Sequence, residues 1–215
     1  NDQRFEAMLA RDALLDAGAD RERHSHAAQE LLAFATQFDT AAWHFEAYLR
    51  TSRSALKAGL VHQALEYARQ AEFVMHADDP CARLRVELAL AEAHIGRGTG
   101  EPSRLQRPLT DAVAAAQHLT EARKLAEQLQ LPDDVGWITQ ELGVVLWSLT
   151  SEDDREGKAR ARAFLHDALE RFRAVGDRKG EITALIALAY RRPTSAADVG
   201  GPLHGSYVAF LEEIR

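Results

Sequence analysis

The sequence predicts an all-α fold made of repeated helical pairs, and three observations carry that expectation. Alanine and leucine dominate while β-branched residues are sparse, a composition that favours helix. No stretch alternates with period two between hairpin turns, so no sheet is expected. The third observation is a small-residue signature that recurs along the chain. It reads Ser52-x-x-Ala55-x-x-x-Gly59, Ala91-x-x-His94-x-x-x-Gly98, Gly143-x-x-Leu146 and Ala187-x-x-Tyr190. The first three copies precede a second helical stretch spaced by alanines: Ala64 and Ala71, Ala115 and Ala122, Ala161 and Ala168. A small residue on each helix of a pair lets the two backbones approach closely. Repeating such pairs builds a helical solenoid, because each pair buries its apolar face only against its neighbours.

Each helix can be justified in turn. The first pattern runs from about Asp2 to Ala17, with Phe5, Met8, Leu9 and Leu15 on its apolar side. Gly18-Ala19-Asp20 should break it, glycine being free to take the left-handed conformation. The second runs to Phe38 on Ala28, Leu31, Leu32 and Ala35. Asp39-Thr40 offers an N-cap for the third, which carries Trp43, Ala47, Tyr48 and Ala55 and stops at Gly59. The fourth holds Ala64, Leu65, Ala68, Ala71 and Met75, and Asp78-Asp79-Pro80 stops it and starts the fifth, which reaches Ile95. An irregular stretch from Gly96 to Pro108 precedes a long sixth helix, from about Thr110 to Leu129. Leu131-Pro132-Asp133-Asp134 opens the seventh, which reaches Leu149. The eighth follows Ser151 to Gly157 and ends at Gly176-Asp177, and the ninth contains Ile182 to Tyr190. Residues 193–202 read as irregular, and Ser206 to Ile214 as a short terminal helix.

Between equivalent small residues lie 39 positions (Ser52 to Ala91), 52 (Ala91 to Gly143) and 44 (Gly143 to Ala187). Helical-pair repeats run from about 34 to about 47 residues. The excess falls in the irregular stretches, where lengthening a loop costs little.

Composition bounds the function. The formal net charge of −7 argues against nucleic acid as a partner of this segment. No apolar run is long enough to cross a bilayer, and no secretory leader is visible. The lone Cys81 excludes an intrachain disulfide framework, so the cytoplasm is the expected compartment. The chain opens without methionine and within a helical pattern, so a piece of a longer protein is expected.

The paired pattern resembles the tetratricopeptide repeat family. The resemblance rests on Leu90-Ala91 and Leu142-Gly143 in first helices, on Gly59-Leu60-Val61-His62-Gln63-Ala64 between helices, and on the alanines of second helices. Gly176-Asp177-Arg178-Lys179-Gly180-Glu181 followed by Ala184-Leu185-Ile186-Ala187-Leu188-Ala189 is similar to a unit junction in arrays of large bacterial signalling proteins. Ala10-Arg11-Asp12-Ala13-Leu14-Leu15 and Gly18-Ala19-Asp20-Arg21 look like the start of such an array. The resemblance spans residues 1–192 and is weakest in the first pair, where the small-residue pattern is blurred; residues 193–215 lie beyond it. It implies a right-handed α-α superhelix of antiparallel pairs, with HEAT-like repeats as the competing fold. It also implies that first helices line a concave groove that binds a peptide or protein segment.

Carried onto this chain by spacing, that groove would present Trp137, Gln140, Val144 and Trp147 from the seventh helix. Glu46, Leu49, Arg53 and Leu56 would line it from the third, and Arg85, Leu88, Glu92 and Ile95 from the fifth. A tryptophan pair flanking Gln140 could clamp a ligand, although packing between helices is the commoner use of such rings. Other chemistry is not indicated. The charged run Arg155, Lys158, Arg160, Arg162, Arg171 and Arg173 is interleaved with acids at helical spacing, as on a solvated face. No two histidines are three or four apart and no HExxH occurs, so no metal is expected. Gly96-Arg97-Gly98-Thr99-Gly100 lacks the strand that a phosphate loop needs, and Gly205-Ser206 lacks a nucleophile-elbow frame. Cys81 beside Pro80 has no neighbouring histidine and reads as packing. The expectation is therefore a non-catalytic interaction, scaffold or sensor module of a bacterial regulatory protein, without cofactor. A structural segment, self-associating into a homo-oligomer, and a small-molecule-sensing helical domain are the alternatives.

Overall fold

A computed structural model describes residues 1–190, apart from 19, 39, 76–77, 97–108 and 152. The expected end of the array, the terminal helix and the loop after Gly96 lie outside the described residues. Within them the fold is all-helical: α1 (Asp2–Asp16), α2 (Arg21–Ala35), α3 (Ala41–Lys57), α4 (Val61–Val74), α5 (Pro80–Ile95), α6 (Leu109–Gln128), α7 (Pro132–Ser148), α8 (Arg155–Val175) and α9 (Arg178–Tyr190). No strand occurs among the described residues. The chain divides into two compact units, Asn1–Gln130 and the part from Leu131 onward. The first contains α1–α6 and the second α7–α9.

Short polar signals set the helix ends. The carboxylates of Asp20, Asp79 and Asp154 accept backbone N–H bonds at the starts of α2, α5 and α8, filling donors that a first turn leaves open. Thr40 sits at the start of α3, yet its hydroxyl makes no capping bond. Gly59 and Gly176, at φ +78° and +75°, close α3 and α8. In each case the next residue's N–H reaches back to a carbonyl of the last turn, Leu60 to Ala55 and Asp177 to Phe172. The expected glycine stop after α1 is not of this kind. That helix ends on Ala17 in the right-handed region, and Gly18 has no positive φ.

Consecutive helices pack as antiparallel pairs. The pairing of α5 with α6 is read from Arg83–Glu121, Glu87–His118 and His94–Asp111, whose positions run in opposite directions. Between α2 and α3, Ala28 faces Thr51 and Ala35 faces His44. In the second unit, Gly136 lies against Phe172 of α8 and Gly143 against Leu165. Alternate helices run parallel and touch: α1 with α3, α3 with α5, and α7 with α9. Polar links across these contacts hold a steady register. Glu46 meets Arg85, 39 positions on. Asp16 meets Arg53, 37 on, and Gln140 meets Thr183, 43 on.

The expected close approaches are present. Ser52 Oγ donates to the Ala64 carbonyl at 2.8 Å, tying α3 to α4 through two residues with almost no exposed surface. Ala91 and Ala115, also fully buried, lie at the same level of α5 and α6. A Cβ on Gly143 would stand 2.9 Å from the Leu165 side chain and 3.1 Å from the Ala161 carbonyl, so only glycine fits without movement. Phe172 fills the base of the second unit, its ring lodged against Gly136 and Gly180.

Candidate functional site

Most of the proposed groove residues are spent within the fold. On α3, Glu46 holds Arg85 of α5 in a two-point ion pair, with Nη2 to Oε2 at 2.8 Å. The Arg85 guanidinium also lies 5.2 Å over the Phe45 ring. That pairing outweighs the cost of burial and holds Arg85 firmly protonated. Leu49 is buried with Phe45, Ala68, Val86 and Leu90, and Leu56 and Ile95 are buried too. Arg53 reaches back to Asp16 at 3.3 Å while half of its side chain stays exposed. Leu88 and Glu92 are half-buried on the same helix as Arg85.

In the second unit the Trp137 indole N–H donates to Asp177 Oδ2 at 3.1 Å, and its ring meets Phe172 edge-on at 5.0 Å. Gln140 is buried, its Oε1 accepting from the Thr183 hydroxyl at 2.9 Å. Val144 is half-buried against the same core cluster, and Trp147 is half-buried. The charged run on α8 pairs along its own helix as expected, in Arg160–Glu156 and Arg171–Asp167.

The sequence reading missed a set of charges enclosed by α1, α2 and α3. Asp12 is wholly buried, His24 is 2% exposed, and His24 Nε2 lies 3.4 Å from Asp12 Oδ1 and 3.6 Å from Asp16 Oδ1. From α3, Lys57 approaches Asp16 at 2.6 Å and Arg53 at 3.3 Å, whereas Arg50 comes only to 3.8 Å from Asp12. Asp16 is therefore well paired. No hydrogen bond reaches the oxygens of Asp12 or the ring nitrogens of His24.

Those environments push the groups in different directions. Burial raises the Asp12 carboxyl above its ordinary value, more than His24 and Arg50 lower it. Burial likewise lowers His24, outweighing the attraction of the two carboxylates. Asp16 is opposed by burial as well, but the Lys57 hydrogen bond and the charges of Arg53 and Lys57 hold it below the usual carboxylate range. The layer thus sets two aspartates and three α3 cations around an imidazole whose burial disfavours a charge on it.

The position explains why the first pair looked blurred. A shift of forty residues carries Phe5 onto Phe45, Asp12 onto Ser52 and His24 onto Ala64. Asp12 and His24 therefore occupy the level at which the second pair places its two small residues. That equivalence was a readable signal, since a polar pair stands where the repeat demands small side chains.

A pair of histidines lies between α5 and α6. The His94 and His118 rings stack at 5.6 Å, and each Nδ1 faces a carboxylate, Asp111 at 3.2 Å and Glu87 at 2.7 Å. No group of His, Cys, Asp and Glu among the described residues is arranged to hold a metal. Nor is any described helix long and apolar enough to cross a membrane. Set against family models and against curated proteins, the chain matches none.

Proposed function

We propose that the chain is a non-catalytic interaction module, a tetratricopeptide-like array whose helical pairs wind right-handedly within each unit. In this reading it serves a bacterial regulatory protein in the cytoplasm and takes a peptide or protein segment on the layer formed by first helices. The observation that carries the proposal is that layer itself. The odd-numbered helices of a unit lie parallel and in contact, cross-linked about forty residues apart, which is how stacked repeats create an extended binding surface. Leu88 and Glu92 on α5 remain partly accessible there.

A photo-crosslinking residue at Leu88 or Glu92, compared with one at the exposed Phe73 of α4, tests this reading in cell extract. Adducts with a distinct protein from the α5 positions, and none from Phe73, are expected. Equal labelling at both positions, or none, defeats it.

A structural or self-associating array is the second reading. It is favoured by the internal use of Glu46, Arg85, Trp137 and Gln140. Adducts only between copies of the chain would select it.

A further inference from the structure

The Asp12–His24 pair has no part in the proposed binding layer, yet it replaces small residues at the level where two backbones come closest. We infer that this pair is a proton-operated latch on the first helical pair: mild acid opens α1 and α2 from α3 while α3 and α4 stay closed.

Geometry carries the inference. Among the described residues, the charged and titratable groups facing the pair are Asp12 and Asp16 from α1, His24 from α2, and Arg50, Arg53 and Lys57 from α3. The imidazole is almost fully enclosed, and its nitrogens have no hydrogen bond to spread a new charge. A proton on His24 would place a fourth cation in that layer. In the opened pair water solvates the imidazole, which then accepts a proton near its ordinary value of 6.5.

Linkage gives the sign. A histidine lowered by the fold is protonated more readily in the open state, so acidification below about pH 6.5 favours opening. Asp12 acts the other way, because its buried carboxyl takes a proton sooner in the closed state. The two responses oppose each other, so the net acid response is smaller than His24 alone would give. Uptake of one proton changes the opening equilibrium by at most about tenfold per pH unit. A helical pair can open locally without global unfolding.

Hydrogen exchange of the whole chain, at about pH 7.5 and about pH 5.5 and corrected for intrinsic rates, tests the latch. Protection of residues 21–35 should fall relative to residues 61–74, by up to the roughly tenfold limit for one proton over one pH unit. In the double variant Asp12→Ser, His24→Ala, which installs the residues of the second pair, that relative fall should vanish. A wild type in which both pairs lose protection equally, or neither does, overturns the inference. So does a variant that keeps the acid response. Should circular dichroism show the double variant unfolded, His24→Gln removes the titrating ring and must abolish the response as well. An NMR titration of His24 provides a further check: an imidazole that titrates at or above 6.5 in the closed pair refutes the latch.

Discussion

The α1–α2 and α3–α4 pairs have the same register but opposite solutions to the close approach of two helices. In the second pair, Ser52 and Ala64 leave nothing to accommodate except one hydroxyl, which bonds to the facing carbonyl. In the first, Asp12 and His24 occupy that level, and α3 adds Arg50, Arg53 and Lys57 around them. The apolar surroundings are similar: Phe5 stacks on Trp43 at 4.7 Å near one end, and Phe45 packs with Leu49 and Leu90 in the other. The backbone arrangement thus does not require small residues at this level. It requires either small residues or a set of charges large enough to compensate one another. The first solution is insensitive to pH, and the second is not.

The sharpest way to break this comparison is to place one half of the first solution in the second pair. Ala64→His puts a ring into a fully buried site packed with Ala55, Leu56 and Ala93. Overpacking and an unpaired polar group together should cost about 3–5 kcal/mol, measured by urea denaturation. Adding Ser52→Asp should restore part of that loss. A fully tolerated Ala64→His would mean that the level is roomy, and that Asp12 and the α3 cations are incidental to His24.

The same rule can be tested in the second unit, where the approach is tightest. Gly143→Val directs its branch at Leu165 and the Ala161 carbonyl. A loss of about 1–3 kcal/mol is expected, because a backbone atom cannot step aside as a side chain can. Gly136→Ala should cost less, since the atoms it meets belong to the Phe172 ring.

These sites also show what could be read from the sequence. Helix ends were legible wherever a strong local signal existed, as at Asp79-Pro80 or Gly176, because caps and left-handed glycines act within a few residues. Close approach was legible in Ser52, Ala91 and Gly143, because smallness is a property of one residue. The role of Arg85 was not. Its sequence neighbours give no hint of Glu46, 39 positions earlier, and the pairing exists only because parallel first helices set the register. The Asp12–His24 layer was hidden for the same reason: its compensating cations come from α3. Trp137 and Gln140 fall on one helical stripe as expected. Whether such a stripe faces a groove or a neighbouring helix depends on α9 and the residue before it, which bring Thr183 and Asp177 against it.

Asp16 sharpens the contrast from the acid side. Its folded value lies below 3.8, so it adds stability that is complete above that pH and is lost as pH falls through the folded value. Lys57→Met removes its nearest partner, leaving Arg53. A loss of about 1–2 kcal/mol at neutral pH is expected, between the values for exposed and buried pairs. The acid-unfolding midpoint should rise at the same time. An unchanged midpoint, followed by circular dichroism from about pH 5 to pH 2, would mean that Arg53 alone sets the Asp16 charge.

The smallest expected effect isolates what smallness itself contributes. Ser52→Ala keeps the Cβ and the close approach but deletes the hydroxyl that donates to the Ala64 carbonyl. That carbonyl keeps its bond within α4, so no buried acceptor is stranded. The loss should be about 0.5–1 kcal/mol, with no change in hydrogen-exchange protection across α3 and α4 beyond that amount. A loss well above 2 kcal/mol would show that the polar link, and not the small volume, holds the second pair closed. The two pairs would then differ in the strength of a polar layer rather than in its presence. With the expected result, volume holds one pair and charge the other.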